Sequence, residues 1–295
     1  MGFLACGISK AVPLQEEKEA LKSYLDNSFN GKMKYMENHF EMRPDPTLLH
    51  PGTKSVISLL YNYFSEEKQQ DKNAPIVSKY AYGKDYHIVV KEKLNNLITY
   101  IDSICGKTNS RAFVDSAPIL ERAWAQKAGL GWIGKNGNLL NKDLGSFFFI
   151  GEILTNIELE YNDLDVKNYC GQCTRCMDAC PTRAIVLPGI VDARKCISYL
   201  TIELREEIPL EFKGKLQNRV FGCDICQDVC PFNKKSKPNS EEQFKPLPDL
   251  MRLTKDEWHA INKEFFSKLF KISAIKRTKF EGLKRNLDFI KDDKN

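Results

Sequence analysis

Eight of the ten cysteines lie in two short runs and one isolated position near the middle of the chain. The first run, CGQCTRCMDACP, extends from Cys170 to Pro181, the second, CDICQDVCP, from Cys223 to Pro231, and Cys196 stands between them. A run of the form C-x2-C-x2-C-x3-C-P binds a four-iron four-sulfur cluster through its first three thiolates and sends its fourth cysteine to a second cluster. The spacing therefore predicts two interlocked clusters, one held by Cys170, Cys173, Cys176 and Cys230 and the other by Cys196, Cys223, Cys226 and Cys180.

Other uses of cysteine fit this spacing less well. A structural zinc site takes two C-x2-4-C pairs around one tetrahedral ion, whereas here three thiolates fall within seven residues. Disulfides need an oxidising compartment, and Met1 is not followed by the charged and apolar regions of a secretory signal. We therefore expect a cytoplasmic protein whose chemistry moves single electrons. The remaining cysteines, Cys6 and Cys105, stand among apolar neighbours, which predicts buried, unreactive thiols.

The composition is that of an ordinary globular protein long enough for two or three domains. Of its 295 residues, 42% are hydrophobic and 28% charged, and no apolar stretch approaches the length of a membrane span. The net charge of +5 is uneven, because residues 233–295 carry 16 Lys and Arg against 10 Asp and Glu. This basic tail favours a polyanionic partner, although a solvated helical face would have the same composition.

The elements that must position the cysteines indicate an α+β fold. Residues 1–163 read as an N-terminal sheet flanked by helices, residues 164–233 as a two-cluster ferredoxin-like domain, and residues 234–295 as a short helical segment. The predicted strands are 3–8, 55–64, 111–115 and 146–156, and the predicted helices are 14–29, 32–40, 85–105, 118–129, 255–270 and 273–290. The stretch between Cys196 and Cys223 reads as mostly helical and is longer than a minimal ferredoxin needs. We expect it to contact a substrate or cofactor.

Several segments beyond the cysteines resemble those of the epoxyqueuosine reductases, in order and over nearly the whole chain. They are RPDP (43–46), GKDYH (83–87), FVDSAPILERAWAQKAGLGWIGKN (113–136), DARKCISYLTIEL (192–204) and NRVFGCDICQDVCPFNK (218–234). The C-terminal part resembles only the opening of the HEAT-like repeats with which many members continue.

The resemblance implies a cobalamin-dependent enzyme that reduces epoxyqueuosine to queuosine in the anticodon loop of a tRNA. It implies two 4Fe-4S clusters that pass electrons to the cobalamin, an external electron donor of the flavodoxin or ferredoxin type, and a monomer that does not bind membranes. We expect the C-terminal basic residues, Arg277 and Arg285 among them, to contact tRNA phosphates. The alternative functions are a reductive dehalogenase-like enzyme and a ferredoxin-type electron carrier.

The same resemblance implies individual site residues. Asp115 matches the proton donor of the family, a role that requires burial to raise the pKa of its carboxyl group; the alternative is that it caps the following helix. The residues that match cobalamin contacts are Arg43, Asp115, Leu139, Ile150, Ser198, Cys223 and Asp224. Lys135 and Asn136 could contact phosphate or amide groups or cap a helix. A histidine ligand to cobalt is not expected, because Val90 stands where the Asp-x-His-x-x-Gly motif, begun by Asp85 and His87, requires glycine.

Overall fold

The computed structural model describes residues 1–162, 164 and 166–291 and confirms the α+β class. Its strands are β1 (Ala5–Lys10), β2 (Ser55–Asn62), β3 (Ile76–Val77), β4 (Ser110–Phe113), β5 (Trp132–Ile133), β6 (Leu139–Leu140), β7 (Phe148–Thr155), β8 (Ile185–Leu187), β9 (Ile190–Val191) and β10 (Arg219–Phe221). Its α-helices are α1 (Gln15–Asp26), α2 (Pro46–Leu49), α3 (Tyr86–Cys105), α4 (Glu121–Lys127), α5 (Arg175–Asp178), α6 (Ile225–Asp228), α7 (Pro248–Arg252), α8 (Lys255–His259), α9 (Lys263–Leu269) and α10 (Lys279–Ile290). Among the described helices, none is both long and apolar enough to span a bilayer.

The N-terminal half is built on one antiparallel sheet of strand order β1-β2-β7-β4. Strand β2 is buried on both faces because its side chains alternate between two apolar clusters. Leu59 packs with Val90 and Leu94 of α3, whereas Leu60, on the opposite face, packs with Ala125 of α4. The sheet is therefore sandwiched between α3 and α4, as the sequence predicted.

Two residues of the sheet show how tightly these layers pack. Gly7 in β1 lies against the backbone of Ala128, so any side chain at this position would collide with the Ala128 carbonyl oxygen. Glu152 in β7 is fully buried and accepts a 2.8 Å hydrogen bond from the Ser58 hydroxyl. Burial raises the pKa of Glu152 well above its ordinary value. Burial of this carboxyl therefore favours its neutral form.

The cysteine-rich region and the C-terminal helices share one apolar core. Leu200, Phe221, Trp258 and Leu287 all belong to it, together with Val77 from the N-terminal half. The parallel pair formed by β10 and β3 runs through the same core. The predicted boundary at residue 233 therefore falls inside a continuous packed unit.

The predicted helices of residues 192–290 are more broken than expected. Between Cys196 and Cys223 the chain forms only one π-helical turn (Tyr199–Glu203) and one 3-10 turn (Leu210–Phe212) before β10, so the expectation of a mostly helical insertion is wrong. The helix predicted over 255–270 divides into α8 and α9, because Asn262 starts a new helix by accepting a hydrogen bond from the Phe265 amide.

The helix predicted over 273–290 also divides into two. A 3-10 turn over Ala274–Thr278 precedes α10, and Lys279 at the junction has a positive φ of 61°. Arg205 donates hydrogen bonds to the carbonyl oxygens of Arg277 and Thr278 at this break. In the first part of the chain, the helix predicted over 32–40 reduces to a 3-10 turn at Lys34–Met36.

Cys6 and Cys105 are exposed, so the prediction that both are buried is wrong. Cys6 lies on the edge strand β1, and Cys105 is the last residue of α3. Apolar neighbours in the sequence do not bury a side chain at the edge of a sheet or the end of a helix.

The Arg285 side chain binds backbone carbonyl groups of the protein instead of extending freely into solvent. Its guanidinium group donates hydrogen bonds to the carbonyl oxygens of Leu200 at 2.9 Å, Leu204 at 2.7 Å and Glu206 at 2.5 Å. These carbonyls belong to the insertion that follows Cys196, so Arg285 ties α10 to that segment. The expectation that Arg285 presents its charge to tRNA is therefore wrong.

We predict that Arg285→Gln destabilises the protein by about 1–3 kcal/mol, because buried carbonyl groups lose their donors. The matched control is Lys276→Gln, an exposed change that should alter stability by less than about 0.5 kcal/mol. Denaturant unfolding followed by circular dichroism measures both. Equal stability of the two variants would contradict the bracing role.

Candidate functional site

The structure brings the two cysteine runs and Cys196 together. Cys230 of the second run packs with Cys170 of the first in one apolar cluster, and Cys196 and Cys223 both pack against the core shared with the C-terminal helices. All of the chain's cysteines are free thiols. The last cysteine of the second run therefore lies beside the start of the first run.

The electrostatics of the thiols follow the same grouping. Burial raises the pKa of Cys230, and the neighbouring thiolates of Cys170 and Cys173 raise it further. Burial likewise raises the pKa of Cys196, with a smaller contribution from Cys180. Cys230 thus lies near the first run, and Cys180 lies near Cys196.

A second feature distinguishes the two groups. A cavity of about 320 Å³ is lined by Cys180, Cys196, Cys223 and Cys226, and its lining includes no member of the other group. We call the cavity-lining cysteines the inner set and Cys170, Cys173, Cys176 and Cys230 the outer set. The two sets are adjacent, because Cys176 of the outer set contributes to the raised pKa of the more deeply buried Cys226.

Three of the predicted cofactor contacts, Ser198, Cys223 and Asp224, lie in the cavity wall. Asp224 is held in place by hydrogen bonds from the Ser78 hydroxyl at 2.7 Å and the Lys79 amide at 2.9 Å. Ser78 also lines the cavity, although it stands in a stretch with no distinctive motif. Pairing of β3 with β10 brings that stretch to the second cysteine run.

The other predicted contacts do not line the cavity. Leu139 and Ile150 lie in an apolar cluster with Leu60. Arg43 donates hydrogen bonds to the backbone carbonyls of Tyr35 and Asn38. Cofactor contact by these three residues stays a prediction.

The glycine-rich stretch after α4 forms a hairpin of β5 and β6, and its turn reaches both cysteine runs. Lys135 donates a 2.7 Å hydrogen bond to the Gly171 carbonyl, beside the first run. Asn136 lines the cavity and donates a 3.4 Å hydrogen bond to the Cys226 carbonyl. Neither residue caps a helix in the structure.

Asp115 lies just beyond the end of β4 and is held by two side chains from the start of α3. Its Oδ2 atom accepts a 2.5 Å hydrogen bond from the Tyr86 hydroxyl and lies 3.4 Å from His87 Nε2. The other ring nitrogen of His87 lies 2.7 Å from Asp85, which also caps α3 by accepting from the His87 amide. Helix capping thus places the imidazole between two carboxylates.

The surroundings of this group fix its orientation and join it to the cavity. The Tyr86 ring stacks on Phe149 at 4.1 Å between centroids, with an interplanar angle of 6°. On another side it meets the edge of Tyr80 at 6.0 Å, and Tyr80 lines the cavity. Asp115 is therefore separated from the cavity wall by two aromatic rings.

The charges of the group differ from the expected pattern. Although the Asp115 side chain is 53% exposed, the surrounding protein partly desolvates it, which by itself would raise its pKa. Hydrogen bonds from His87 and Tyr86 outweigh this effect, and the pKa of Asp115 lies below its ordinary value. The expectation that this carboxyl has a raised pKa is therefore wrong, although burial acts in that direction.

The proton of the pair resides on His87. Burial alone would lower the pKa of His87, but the hydrogen bonds and charges of Asp115 and Asp85 raise it to about 9. At neutral pH, His87 is consequently a cation that faces two carboxylates.

Glu121 holds the backbone of Asp115. Its Oε1 atom accepts a 2.6 Å hydrogen bond from the Asp115 amide, and Asp115 has a positive φ of 53°. Desolvation and the charge of Asp115 raise the pKa of Glu121 to about 8. The residue before α4 is Leu120, and no side chain caps that helix, so the alternative that Asp115 is its cap is wrong.

Arg277 brings the C-terminal segment to this group. Its guanidinium lies 2.9 Å from Glu203, and its positive charge helps to lower the pKa of both Asp115 and Asp85. The position of Arg277 could not be found from the sequence, because it depends on the 3-10 turn before α10. In the sequence, Tyr86 and His87 were marked only as members of the GKDYH motif.

We predict that Asp85→Asn lowers the pKa of His87 from about 9 toward its ordinary value of 6.5, because one of two carboxylates is removed. Since the folded pKa is the higher one, protonation of His87 stabilises the fold fully below about pH 6.5 and ceases to do so as the pH rises through about 9. Imidazole NMR signals followed against pH measure the shift, and those of His39, His50 and His259 are internal controls. An unchanged His87 titration would contradict the arrangement.

Comparisons with known proteins agree with this geometry. Residues 169–233 match the family described as "4Fe-4S double cluster binding domain", and residues 43–116 match "Epoxyqueuosine reductase QueG, DUF1730". A curated protein of Cellulophaga algicola named epoxyqueuosine reductase is 57% identical, over 99% of this chain and 94% of its own length.

Two solved structures are also similar. A crystal structure of an epoxyqueuosine reductase with an epoxyqueuosine-modified tRNA-Tyr stem loop has a TM-score of 0.89 at 30% identity, covering 98% of this chain and 77% of that one. The Bacillus subtilis epoxyqueuosine reductase, whose catalytic aspartate loop is swung out of the active site, has a TM-score of 0.88 at 30% identity with the same coverage.

Proposed function

Because the chain belongs to the epoxyqueuosine reductase family, we propose that it reduces epoxyqueuosine to queuosine in the anticodon loop of a tRNA. The observation that carries this proposal is the cavity lined by the inner cysteine set, whose wall residue Tyr80 contacts the Tyr86 ring of the Asp115–His87–Tyr86 group. The cysteines offer thiolates for an electron-carrying cluster, and the neighbouring group offers a proton. Reduction of an epoxide to an alkene and water consumes two electrons and two protons, so both features are needed.

The cysteine sets suit two 4Fe-4S clusters. Each set combines cysteines of both runs, and none of the eight is in a disulfide. We propose that the outer set holds one cluster and the inner set the other. Thiolate ligands of this kind require the reducing conditions of the cytoplasm, where the tRNA substrate is also found.

The cavity suits a corrinoid. Ser198, Asp224 and Asn138 give its wall hydrogen-bonding groups for the amide side chains of cobalamin, next to the inner cysteines. None of the four histidines, all of which lie within the described ranges, lines the cavity, so the protein would hold cobalamin without a histidine ligand. When bound, cobalamin would supply a reduced, nucleophilic metal centre for opening of the strained epoxide ring.

Asp115 and His87 supply the proton that epoxide opening requires. An oxygen released from the ring develops negative charge and must be protonated. The pair holds one proton on His87, and the exposed Asp115 carboxylate lies 3.4 Å from the His87 ring. We infer that Asp115 passes on the proton of His87 instead of storing its own.

The loop that carries Asp115 is suited to movement. Its backbone is held at positive φ by the hydrogen bond to Glu121, a conformation that is unfavourable for aspartate unless a partner fixes it. The swung-out catalytic loop of the Bacillus subtilis enzyme supports this proposal. Closure of the loop would place Asp115 on the substrate only after the tRNA is bound.

The substrate's phosphates would meet Arg277 beside the cleft. Its side chain is 45% exposed and is anchored by Glu203, so its donors are oriented yet accessible. The tRNA stem loop bound to a related enzyme of 30% identity supports a nucleic-acid surface in this fold. Arg285 is excluded from this role by its contacts with backbone carbonyls.

We predict that Asp115→Asn decreases turnover by about two to four orders of magnitude, because the amide cannot relay a proton. The assay is anaerobic incubation with epoxyqueuosine-containing tRNA, cobalamin and a chemical reductant, followed by nucleoside mass spectrometry. Production of queuosine by the unmodified protein tests the proposed function itself. Glu281→Gln, an exposed change on α10, is the control, and normal turnover by Asp115→Asn would remove this residue from the mechanism.

We predict that two cysteines from different runs hold the same cluster when they belong to one set. Cys230→Ala combined with Cys173→Ala should lose no more iron than either change alone, because both remove the outer cluster. Cys230→Ala combined with Cys226→Ala should lose the iron of both clusters. Iron analysis of the anaerobically reconstituted variants measures this, and the reverse pattern would show that each run holds its own cluster.

A further inference from the structure

We propose that the exposed face around Tyr169 is the docking site for an acidic one-electron carrier protein, which delivers electrons to the outer cluster. We call this the Tyr169 face and define it by Tyr169, Lys135, Lys142, Lys167 and Lys235. The inference deepens the proposed function and rests on it for the presence of the outer cluster.

An aromatic contact leads from this face to an outer cysteine. The Tyr169 side chain is 42% exposed, and its ring lies 5.2 Å from that of Trp132 in an edge-on contact. Trp132 is only 2% exposed and donates a 3.4 Å hydrogen bond from its indole nitrogen to the Cys170 sulfur. A partner that covers Tyr169 would therefore lie within two side chains of an iron ligand.

The charges around Tyr169 favour an acidic partner. The ammonium groups of Lys142 and Lys167 lie 5.2 Å and 6.0 Å from the centre of the Tyr169 ring. Lys135 is fixed by its hydrogen bond to the Gly171 carbonyl, and Lys235 reaches the Lys142 carbonyl. Of the acidic groups within the described ranges, Asp143 pairs with Lys235 at 3.5 Å. The face presents lysines already positioned by ring and backbone contacts, as electrostatic steering requires.

The arrangement of the cysteines gives the direction of electron flow. The inner set lines the cavity, whereas no member of the outer set does. Electrons must therefore arrive through the outer set and leave through the inner set. The Tyr169 face lies at the end where they arrive.

The transfer is a single-electron step without bond making or proton movement. The reduced cofactor of the carrier loses one electron, and the outer cluster gains it. Two such encounters supply the two electrons that one epoxide consumes. Repeated docking requires a weak, polar interface, which in electron-transfer pairs buries less than about 1,200 Å².

The rival occupant of a basic, aromatic face is RNA, since bases stack on tyrosine and phosphates pair with lysine. The position of the face argues against this. Asp115 and Arg277 mark the substrate side of the molecule, beyond the inner set, whereas the Tyr169 face adjoins the outer set. Binding of tRNA is nevertheless measured in the test below.

The test compares the charge-reversed double variant K142E/K167E with the control K72E/K91E. Lys72 and Lys91 are exposed lysines, the first near β3 and the second on α3, which covers the opposite face of the sheet from α4. The cluster-loaded proteins are mixed anaerobically with reduced flavodoxin, and bleaching of the cluster absorbance is followed by stopped flow. K142E/K167E should be reduced at least about tenfold more slowly at low salt, with a weaker dependence on salt, while the control behaves as wild type.

Dithionite, a small reductant that needs no docking surface, should reduce both variants at the wild-type rate. If dithionite reduces the charge-reversed variant more slowly than wild type, the neutral variant K142Q/K167Q is tested instead. Its reduction by flavodoxin should be slower and less dependent on salt than that of wild type, but to a smaller extent than in K142E/K167E. Unchanged reduction by flavodoxin in the charge-reversed protein would overturn the proposal. Loss of affinity for a tRNA stem loop, with flavodoxin reduction unchanged, would assign the face to RNA.

The outcome is independent of the chemistry proposed for the cavity. Cluster bleaching reports electron transfer into the protein whether or not epoxyqueuosine is the substrate. If wild-type protein reduced by dithionite fails to convert epoxyqueuosine in tRNA, the proposed function fails while the docking measurement stands. If conversion with dithionite succeeds and only reduction by flavodoxin is insensitive to the lysines, the docking proposal fails alone.

Discussion

The exchange of cysteines between the two runs is the constraint on which the rest of the structure depends. Cys230 packs beside Cys170, and Cys180 lines the same cavity as Cys196 and Cys223, so the two runs must lie against each other. The segment between them has to leave and return within a short distance, and it returns through β10, which pairs with β3. One local requirement thus ties the first half of the chain to the second.

The proton-donating side of the cleft is assembled from separate elements, each held for a structural reason. Asp115 follows the end of β4, the capping of α3 by Asp85 places His87, and packing against Phe149 orients Tyr86. The 3-10 turn before α10 adds Arg277. Because His87 is hydrogen-bonded to the carboxylates of Asp85 and Asp115, the pKa of His87 rises while that of Asp115 falls. The proton is therefore held on His87, next to the exposed Asp115 carboxylate.

In the proposed mechanism, electrons and protons reach the cavity through different parts of the structure. The outer cysteines lie toward the Tyr169 face, the inner cysteines line the cavity, and Tyr80 separates the cavity from the proton-bearing pair. A carrier protein and a tRNA could therefore bind at the same time without competing for one surface. Separation of this kind also keeps the acidic carrier away from Asp115 and Asp85, whose charges would repel it.

The sequence by itself determined the cysteine chemistry, the strands and helices of the sheet layer, and the family, because these depend on local spacing and on alternation of apolar residues. It did not determine the exposure of Cys6, the break before α10 or the bracing by Arg285, since each depends on neighbours distant in the chain. The pKa of Asp115 is the clearest case. Burial, which the sequence suggested, does act to raise it, but only the folded chain places His87 and Tyr86 against the carboxylate and reverses the sign.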